Sequence, residues 1–256
     1  MTVDTLVLRH CSRLEEFRLC VALQKEVWGF SDAELVPLRI FSLAPKIGGQ
    51  VVGAWDGETF VGYAMAIPGN RYGHPYLHSH MVAVKEGYRN TGLGRKLKLF
   101  QRQDAIARGY ELMEWTFDPL EIKNSYFNLE RLGAIARRYN VNQYGITNSP
   151  LQGFLPTDRL VAEWWMNSQR VKTVLKGGRP TVLLEERIEV RHEIYAWKAD
   201  PTLRSQAEEV QSRNRTIFQS AFARGLSCLG YESDAQGNGL FLLGRWDENW
   251  SYAPNS

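Results

Sequence analysis

The chain contains little cysteine, and the arrangement of the cysteines excludes some classes of protein. Only Cys11, Cys20 and Cys228 occur among 256 residues, an odd number with no CxxC pair. Disulfide-dependent secreted domains and zinc ribbons carry paired, closely spaced cysteines. The pattern therefore argues against a disulfide framework or a zinc ribbon and favours a reducing compartment.

Long hydrophobic runs and strong charge asymmetry are also missing. No apolar run approaches the roughly 18 residues that a membrane span needs, and Met1–Thr5 lack the basic and apolar regions of a signal peptide. Lys and Arg number 31 and Asp and Glu 28, a net charge of +3, and the basic residues are spread along the chain rather than clustered. We expect a cytoplasmic protein with no membrane or nucleic-acid partner.

Hydrophobic periodicity predicts an α/β domain over residues 1–168 in the order βααβββαβαββ. Residues 169–180 contain Gly177-Gly178-Arg179-Pro180 and are predicted to be a linker, and residues 181–256 a βαββ extension. The predicted strands are 6–8, 51–55, 60–67, 77–84, 112–117, 134–144, 160–166, 188–194, 226–231 and 240–243, the helices 12–27, 37–46, 91–108, 118–132 and 203–222, and the turn-rich segments 68–75 and 145–159.

The most informative segment is the turn after strand 77–84. Gly92 and Gly94 lie one residue apart, and a basic helix begins between them. The first N–H groups of a helix have no internal partner and lie at the positive end of its dipole, and glycine lets the backbone approach a phosphate. The turn therefore predicts an anion site, although a tight turn without a ligand explains the glycines equally well. Positive charge around it would come from Arg89, Arg95, Lys96, Lys98 and Arg102.

Two other phosphate-binding loops agree less well with the segment. The absence of GxxxxGK[ST] excludes a Walker A loop. A dinucleotide turn has a suitable acidic residue downstream in Asp118, but Leu97 replaces the third glycine of GxGxxG. The strands before the turn also form a hairpin rather than a βαβ unit, which disfavours a Rossmann domain.

Arg89-x-x-Gly92-x-Gly94, placed after an apolar strand in this order of elements, resembles the [QR]xxGx[GA] pyrophosphate motif of the GNAT acetyltransferase superfamily. The resemblance covers about residues 4–168. It implies a mixed, mostly antiparallel sheet whose central strands, 77–84 and 112–117, splay apart to admit the thioester of acetyl-CoA or another acyl-CoA. Segments that resemble a longer bacterial subgroup of predicted acetyltransferases with unknown acceptor are His78–Met81, Trp115–Pro119 and Leu155–Arg159.

The resemblance also implies which residues contact the cofactor. Strand backbone holds the pantetheine arm, amides of the turn bind the pyrophosphate, and two residues of the next helix lie beside the lower arm. These are Val82, Ala83 and Val84 on the strand, Arg89, Asn90, Thr91, Gly92, Leu93, Gly94 and Arg95 in the turn, and Asn124 and Phe127 on the helix.

Acyl transfer from a thioester needs a base, a donor to the oxyanion and sometimes an acid. Strand alternation places His78 and His80 on one face as candidate bases, although half-buried structural histidines explain them too. The amide of Val82 is the candidate oxyanion donor. The position of the family's tyrosine acid is Leu129 here, which puts that acid in doubt; Tyr126 lies one helical turn earlier.

The remaining chemistry-bearing residues have less specific interpretations. His78 and His80 form an HxH pair that suits a metal ion, but no third ligand has a coded spacing, so no metal is predicted. The candidate third metal ligands are Glu114, Asp118 and His74. An acceptor pocket or the core is the expected place of Trp115, Trp164 and Trp165. An ion pair or a cap is expected for Asp158 and Arg159.

We therefore expect an acyl-CoA-dependent N-acyltransferase acting on an amine of a small molecule or peptide. The alternative is a catalytically weak relative that binds an acyl-CoA as a sensing or interaction module. The missing tyrosine and the unexplained extension favour the alternative, and the paired histidines favour the enzyme. Whether residues 181–256 cover the acceptor cleft, form a homodimer contact or fold as a separate lobe stays open.

Overall fold

The computed structural model describes residues 6–146 and 154–252, so part of the turn-rich segment predicted at 145–159 lies outside the described residues. The chain forms two compact units, one of residues 1–114 and 252–256 and one of residues 115–251. The division after residue 114 differs from the predicted one after residue 168, and the assignment of 181–256 as an extension stays a prediction.

In the first unit, the strands follow the predicted chain order. Antiparallel pairs join β1 to β2, β2 to β3 and β3 to β4, and β4 pairs in parallel with the start of β5. The elements are β1 (Val7–His10), α1 (Leu14–Trp28), α2 (Leu38–Leu43), a 3₁₀ turn (Ala44–Ile47), β2 (Gln50–Asp56), β3 (Thr59–Arg71), β4 (His74–Val84), a 3₁₀ turn (Glu86–Tyr88), α3 (Leu93–Ala107) and β5 (Leu112–Phe117), whose last three residues belong to the second unit.

Helices cover both faces of this sheet, because successive strand residues point to opposite sides. Val51 packs in a core with Phe17 of α1, whereas the adjacent Val52 packs in another core with Leu93 and Leu97 of α3. Leu97 is fully buried, which contributes roughly 1.5–3 kcal/mol. The two cores hold α3 against the sheet directly after the glycine turn.

The segment 68–75, predicted to be turn-rich, is a continuation of the β3–β4 hairpin. Pairing extends to Arg71 and His74, joined by Tyr72 and Gly73. Both turn residues have positive φ, 51° and 85°, as a two-residue type I′ turn requires. The hairpin tolerates the prolines at both ends of the segment where the ladder needs no N–H.

The second unit has a sheet in the order β7-β6-β9-β10-β8, with the end of β5 next to β7. Helices α4 and α7 pack on its strands. The elements are α4 (Ile122–Tyr126), a π-helical turn (Phe127–Arg131), β6 (Ile135–Asn140), β7 (Arg159–Trp165), α5 (Gln169–Leu175), β8 (Leu184–Val190), α6 (Ile194–Ala199), a 3₁₀ turn (Pro201–Leu203), α7 (Arg204–Ala223), β9 (Leu226–Ser233) and β10 (Gly239–Arg245).

Two predictions for this unit are wrong. Residues 169–175 of the expected linker form α5, whose first amides donate to Ser168 and to the distant carboxylate of Glu248, the latter at 2.8 Å from Gln169 N. Ile194, expected at the end of a strand, begins α6, so the final elements read βααββ. In the part of the chain that the structure describes, no helix has the length and apolar character to cross a membrane.

Candidate acyl-CoA site

The turn between β4 and α3 is tied down by its own side chains. Tyr88 donates its hydroxyl to Asp56 Oδ2 at 2.7 Å, Thr91 donates to the Tyr88 carbonyl at 2.7 Å, and Arg89 Nε donates to the Val84 carbonyl at 3.3 Å. The turn that resembles the pyrophosphate motif is therefore preorganised by contacts with its neighbours along the chain and with β2.

Helix α3 begins with the geometry that an anion site needs. Gly92 is the residue before the helix and has φ +91°, a left-handed conformation that glycine adopts without strain. The intrahelical bond that Lys96 N donates to Gly92 O leaves the amides of Leu93 and Gly94 ahead of it, at the positive end of the helix dipole. These amides can donate hydrogen bonds to a phosphate oxygen.

Gly94 differs from Gly92 because the fold itself does not require a glycine there. Its φ is not in the positive range, and a Cβ built on it meets no heavy atom within 4 Å. Gly87, just before the turn, shares both properties. The space in front of Gly94 is open, as an approaching ligand would require.

Some of the predicted turn residues have a different environment from the one expected. Leu93 is 1% exposed in the core, so that only its backbone can reach a ligand. Lys98, expected to add charge near the turn, is buried, and its ammonium lies 2.8 Å from Ser79 Oγ on β4. Arg89 and Asn90 are exposed, and Arg95 is half-buried.

The edge of β4 that faces β5 opens after a short pairing. The parallel ladder described between these strands consists of Leu77 with Met113 and His78 with Glu114. On the other edge, Val82, Ala83 and Val84 continue to pair with β3. The part of β4 that the resemblance assigns to the pantetheine arm thus lies beyond the last described pair with β5.

A bulge interrupts β4 at the histidines. Met65 pairs with Met81, but Ile67 pairs with His78, so that Ser79 and His80 together lie opposite Ala66. The strict alternation assumed from the sequence therefore does not hold between His78 and Val82.

The two imidazoles nevertheless lie close together, with ring centroids 6.1 Å apart. Surrounding protein atoms desolvate the imidazole of His80 and lower its pKa below the ordinary value, although the side chain still meets solvent. A neutral imidazole at neutral pH is the form that accepts a proton. His80 therefore has the protonation state that a general base needs.

The acidic residues weighed as third metal ligands have other partners. Both carboxylate oxygens of Glu114 accept hydrogen bonds from Arg71, and Asp118 pairs with Lys198 at 3.1 Å. His74 stacks on Tyr252 with ring centroids 4.5 Å apart. Among residues 6–146 and 154–252, no group of three His, Cys, Asp or Glu residues could hold a metal ion.

Asn124 and Phe127 belong to the second unit. Asn124 is exposed and Phe127 half-buried. Trp115 Nε1 donates to Asn128 Oδ1 at 3.1 Å, and Asn128 Nδ2 lies 3.5 Å from Asn124 Oδ1. Since an indole only donates, this chain orients the Asn124 amide so that its NH₂ group points away from Asn128.

The position of the family's tyrosine acid is closed to solvent. Leu129 is fully buried in the π-helical turn, whereas Tyr126 is 36% exposed. A leucine cannot donate a proton, and of the two positions only that of Tyr126 presents a hydroxyl at the surface.

The three tryptophans considered for an acceptor pocket are core residues. Each is at most 6% exposed, and their indole N–H groups donate to Asn128, to the carbonyl of Leu132 and to Glu163. The interpretation as a pocket lining is therefore wrong for Trp115, Trp164 and Trp165.

Asp158 is also part of the interior rather than of an ion pair with its neighbour. Its carboxylate accepts hydrogen bonds from Tyr139 and Arg215, each at 2.7 Å. Arg159 instead donates to the backbone carbonyl of Asp158 at 2.8 Å.

A cavity of about 580 Å³ lies in the first unit, away from the predicted residues. His10 and Cys11 at the end of β1 and Asp104 and Arg108 at the end of α3 contribute to its wall. None of the sequence-predicted site residues lines it.

Comparison with known proteins gives a family for part of the chain. Residues 16–127 match the model of the acetyltransferase (GNAT) family. A search of curated protein sequences finds no match.

Solved structures share the fold at low sequence identity. The ribosomal-protein-S18-alanine N-acetyltransferase of Escherichia coli has a TM-score of 0.51 and 12% identity over 64% of this chain and 95% of its own. The protein yncA of Salmonella typhimurium, with its cofactor acetyl-CoA, has 0.51 and 15% over 64% and 95%. NAA60 of Arabidopsis thaliana, with a bisubstrate analogue, has 0.50 and 10% over 63% and 98%.

The fold class predicted from the sequence, a mixed and mostly antiparallel sheet flanked by helices, is confirmed by these matches. The matched residues include β2, β3, β4, the glycine turn and α3. Residues 16–127, less than half of the chain, are therefore similar to the acetyltransferase (GNAT) family.

Proposed function

We propose that the chain transfers an acyl group from acetyl-CoA or another acyl-CoA to an amine of a small molecule or peptide. The observation that carries the proposal is the open glycine at position 94, in front of the first amides of α3. Neither backbone conformation nor packing explains a glycine there, whereas a diphosphate that approaches the backbone does.

The residues present suit such a ligand. Amides of residues 89–95 would hold the pyrophosphate, with Arg89 and Arg95 adding positive charge, and the backbone of Val82–Val84 would hold the pantetheine arm. The assignment of Asn124 and Phe127 to the cofactor stays a prediction of the resemblance. When bound, an acyl-CoA supplies an activated thioester carbonyl. His80, or His78 beside it, would take the proton of the attacking amine, and the amide of Val82 would donate to the carbonyl oxygen as negative charge develops there. The carbon–sulfur bond would then break, and coenzyme A would leave as the free thiol after taking up a proton.

One of the similar structures suggests a class of acceptor. The Escherichia coli enzyme is named for an alanine of a ribosomal protein, and the structure of Arabidopsis NAA60 holds a bisubstrate analogue. We include a peptide N-terminus and small amines among the acceptors to be tested.

Two measurements on the full chain test the proposal. Titration calorimetry with acetyl-CoA and longer acyl-CoAs should give saturable binding, and a thiol-release assay across a panel of amines and peptides should show turnover. His80→Ala or His78→Ala should reduce kcat by about 10²–10⁴, while His192→Ala, an exposed histidine of the second unit, should not.

The outcomes separate the two candidate functions. Binding of an acyl-CoA without thiol release for any acceptor, together with no effect of His80→Ala or His78→Ala, would favour a module that binds acyl-CoA as a sensor. The buried Leu129 at the family's acid position is the observation that keeps this alternative in view. No binding of any coenzyme A species would contradict both functions.

A further inference from the structure

The bulge in β4 contains a serine that is held from outside the strand. Ser79 is 3% exposed, whereas the next residue, His80, is exposed. The hydroxyl of Ser79 donates to Gln101 Oε1 at 2.9 Å and accepts from Lys98 Nζ at 2.8 Å. Both partners lie on α3, one helical turn apart.

Burial of the Lys98 side chain at this position costs free energy of folding. Lys98 is 3% exposed, and desolvation lowers its pKa well below the ordinary value. A methionine or leucine of similar volume would fill the space without that cost. The hydrogen bond that Lys98 donates to Ser79 on the strand is a physical reason for a lysine at this position.

The contact continues from α3 to β2, which is separated from β4 by β3. Gln50 on β2 donates its side-chain amide to the Gln101 carbonyl at 2.9 Å and to Asp104 Oδ2 at 2.6 Å. Asp104 in turn pairs with Arg108 at 2.9 Å. Gln101, which accepts from Ser79, is therefore fixed to β2 as well as to β4.

We propose that Ser79 is a positioning residue. The hydrogen bonds of its hydroxyl with Lys98 and Gln101 fix the backbone of the bulge. They thereby position the imidazole of His80 at the open edge of β4. A serine is suited to this task because its hydroxyl both donates and accepts. The inference rests on the proposed role of His80 as a base.

The test compares Ser79→Ala, which removes the hydroxyl, with Ser79→Thr, which keeps it. Ser168→Ala is the matched control, since Ser168 is equally buried and caps α5 by accepting from Val171 N in the second unit. Ser79→Ala should lower kcat at least tenfold with KM for the acyl-CoA within twofold, and Ser79→Thr should recover most of kcat. Ser168→Ala should lower Tm but leave kcat unchanged.

A second readout does not depend on activity. The imidazole ¹H–¹³C resonances of His80 should shift in Ser79→Ala and stay in place in Ser168→Ala. If Ser79→Ala fails to fold, Lys98→Met keeps the volume and removes one of the two bonds, and the same changes in kcat and in the resonances are expected.

The possible results are distinct. Absence of acyl transfer by the native chain, with the His80 resonances displaced in Ser79→Ala, would contradict the proposed function but support the positioning of His80. Native kcat and native His80 resonances in Ser79→Ala would overturn the inference. A loss of kcat in both Ser79→Ala and Ser168→Ala, in proportion to the loss of Tm in each, would also overturn it.

Discussion

Arg71 and Glu114 form a two-pronged ion pair, in which the two guanidinium nitrogens lie 2.6 and 2.7 Å from the two carboxylate oxygens. The Glu114 side chain is 3% exposed and that of Arg71 23%. Arg71 ends β3, and Glu114 is the β5 partner of His78 in the last described parallel pair. The ion pair thus connects the end of β3 to β5 at the last described pair between β4 and β5.

Removal of one partner of this pair should destabilise the protein. Glu114→Ala leaves a largely buried guanidinium without its carboxylate, which should lower the free energy of unfolding by about 2–3 kcal/mol. Urea denaturation measures the change. Glu15→Ala, which breaks the exposed pair with Arg18, should change it by less than about 0.5 kcal/mol. Equal effects of the two substitutions would contradict this assignment.

Gly94 and Gly87, which both lack a positive φ and a close neighbour at the Cβ position, should respond differently to alanine. Gly94→Ala should keep or slightly raise Tm, because a helix position loses a glycine, but should weaken acyl-CoA binding at least tenfold because the methyl group occupies the open space. Gly87→Ala is the control with the same openness and should leave affinity within about twofold. Titration calorimetry decides, and unaltered affinity in Gly94→Ala would count against the proposed pyrophosphate site.

Asn128→Asp should reverse the amide of Asn124. The new carboxylate still accepts from Trp115, but it places an acceptor opposite Asn124, whose NH₂ group must then turn inward. If Asn124 donates to the cofactor arm, the affinity for acyl-CoA should fall about tenfold, which is about 1.4 kcal/mol. The double variant with Asn124→Ala should bind no more weakly than Asn124→Ala alone. Additive losses would mean that Asn128 acts by another route.

Glu16 should make stability depend on pH in the acid range. Burial by itself would raise the pKa of Glu16, but hydrogen bonds from the Arg9 side chain, from the amides of Ser12 and Arg13 and from the Arg13 side chain lower it to about 2 from an ordinary 4.5. A pKa below the unfolded value stabilises the fold above pH 4.5, and this contribution is lost as the pH falls towards 2.

Glu16→Gln tests that dependence. At pH 7 it should reduce the free energy of unfolding by up to about 3 kcal/mol, and the difference from the native chain should disappear near pH 2. Urea unfolding over this range measures both curves. A difference that stays constant from pH 7 to pH 2 would show that the charge of Glu16 contributes nothing.

Local sequence was sufficient for the turn and for most elements around it. Helix α3 was predicted at 91–108 and lies at Leu93–Ala107, and Gly92 has the left-handed backbone that its place before the helix suggests. Hydrophobic period, glycine and helix capping act between residues a few positions apart, so the sequence itself records them.

Contacts between distant residues decided the rest. Hydrogen bonds to Ser168 and to the carboxylate of Glu248, which is 79 residues from Gln169, stabilise a helix in a segment that its glycines marked as a linker. In the bulge of β4, Ser79 accepts a hydrogen bond from Lys98 of another element. By itself the sequence determined a glycine-opened helix start with the spacing of the family motif. Only the tertiary structure decided which strand residues leave the regular ladder, because hydrogen bonds across the fold, and not local propensity, stabilise a bulge.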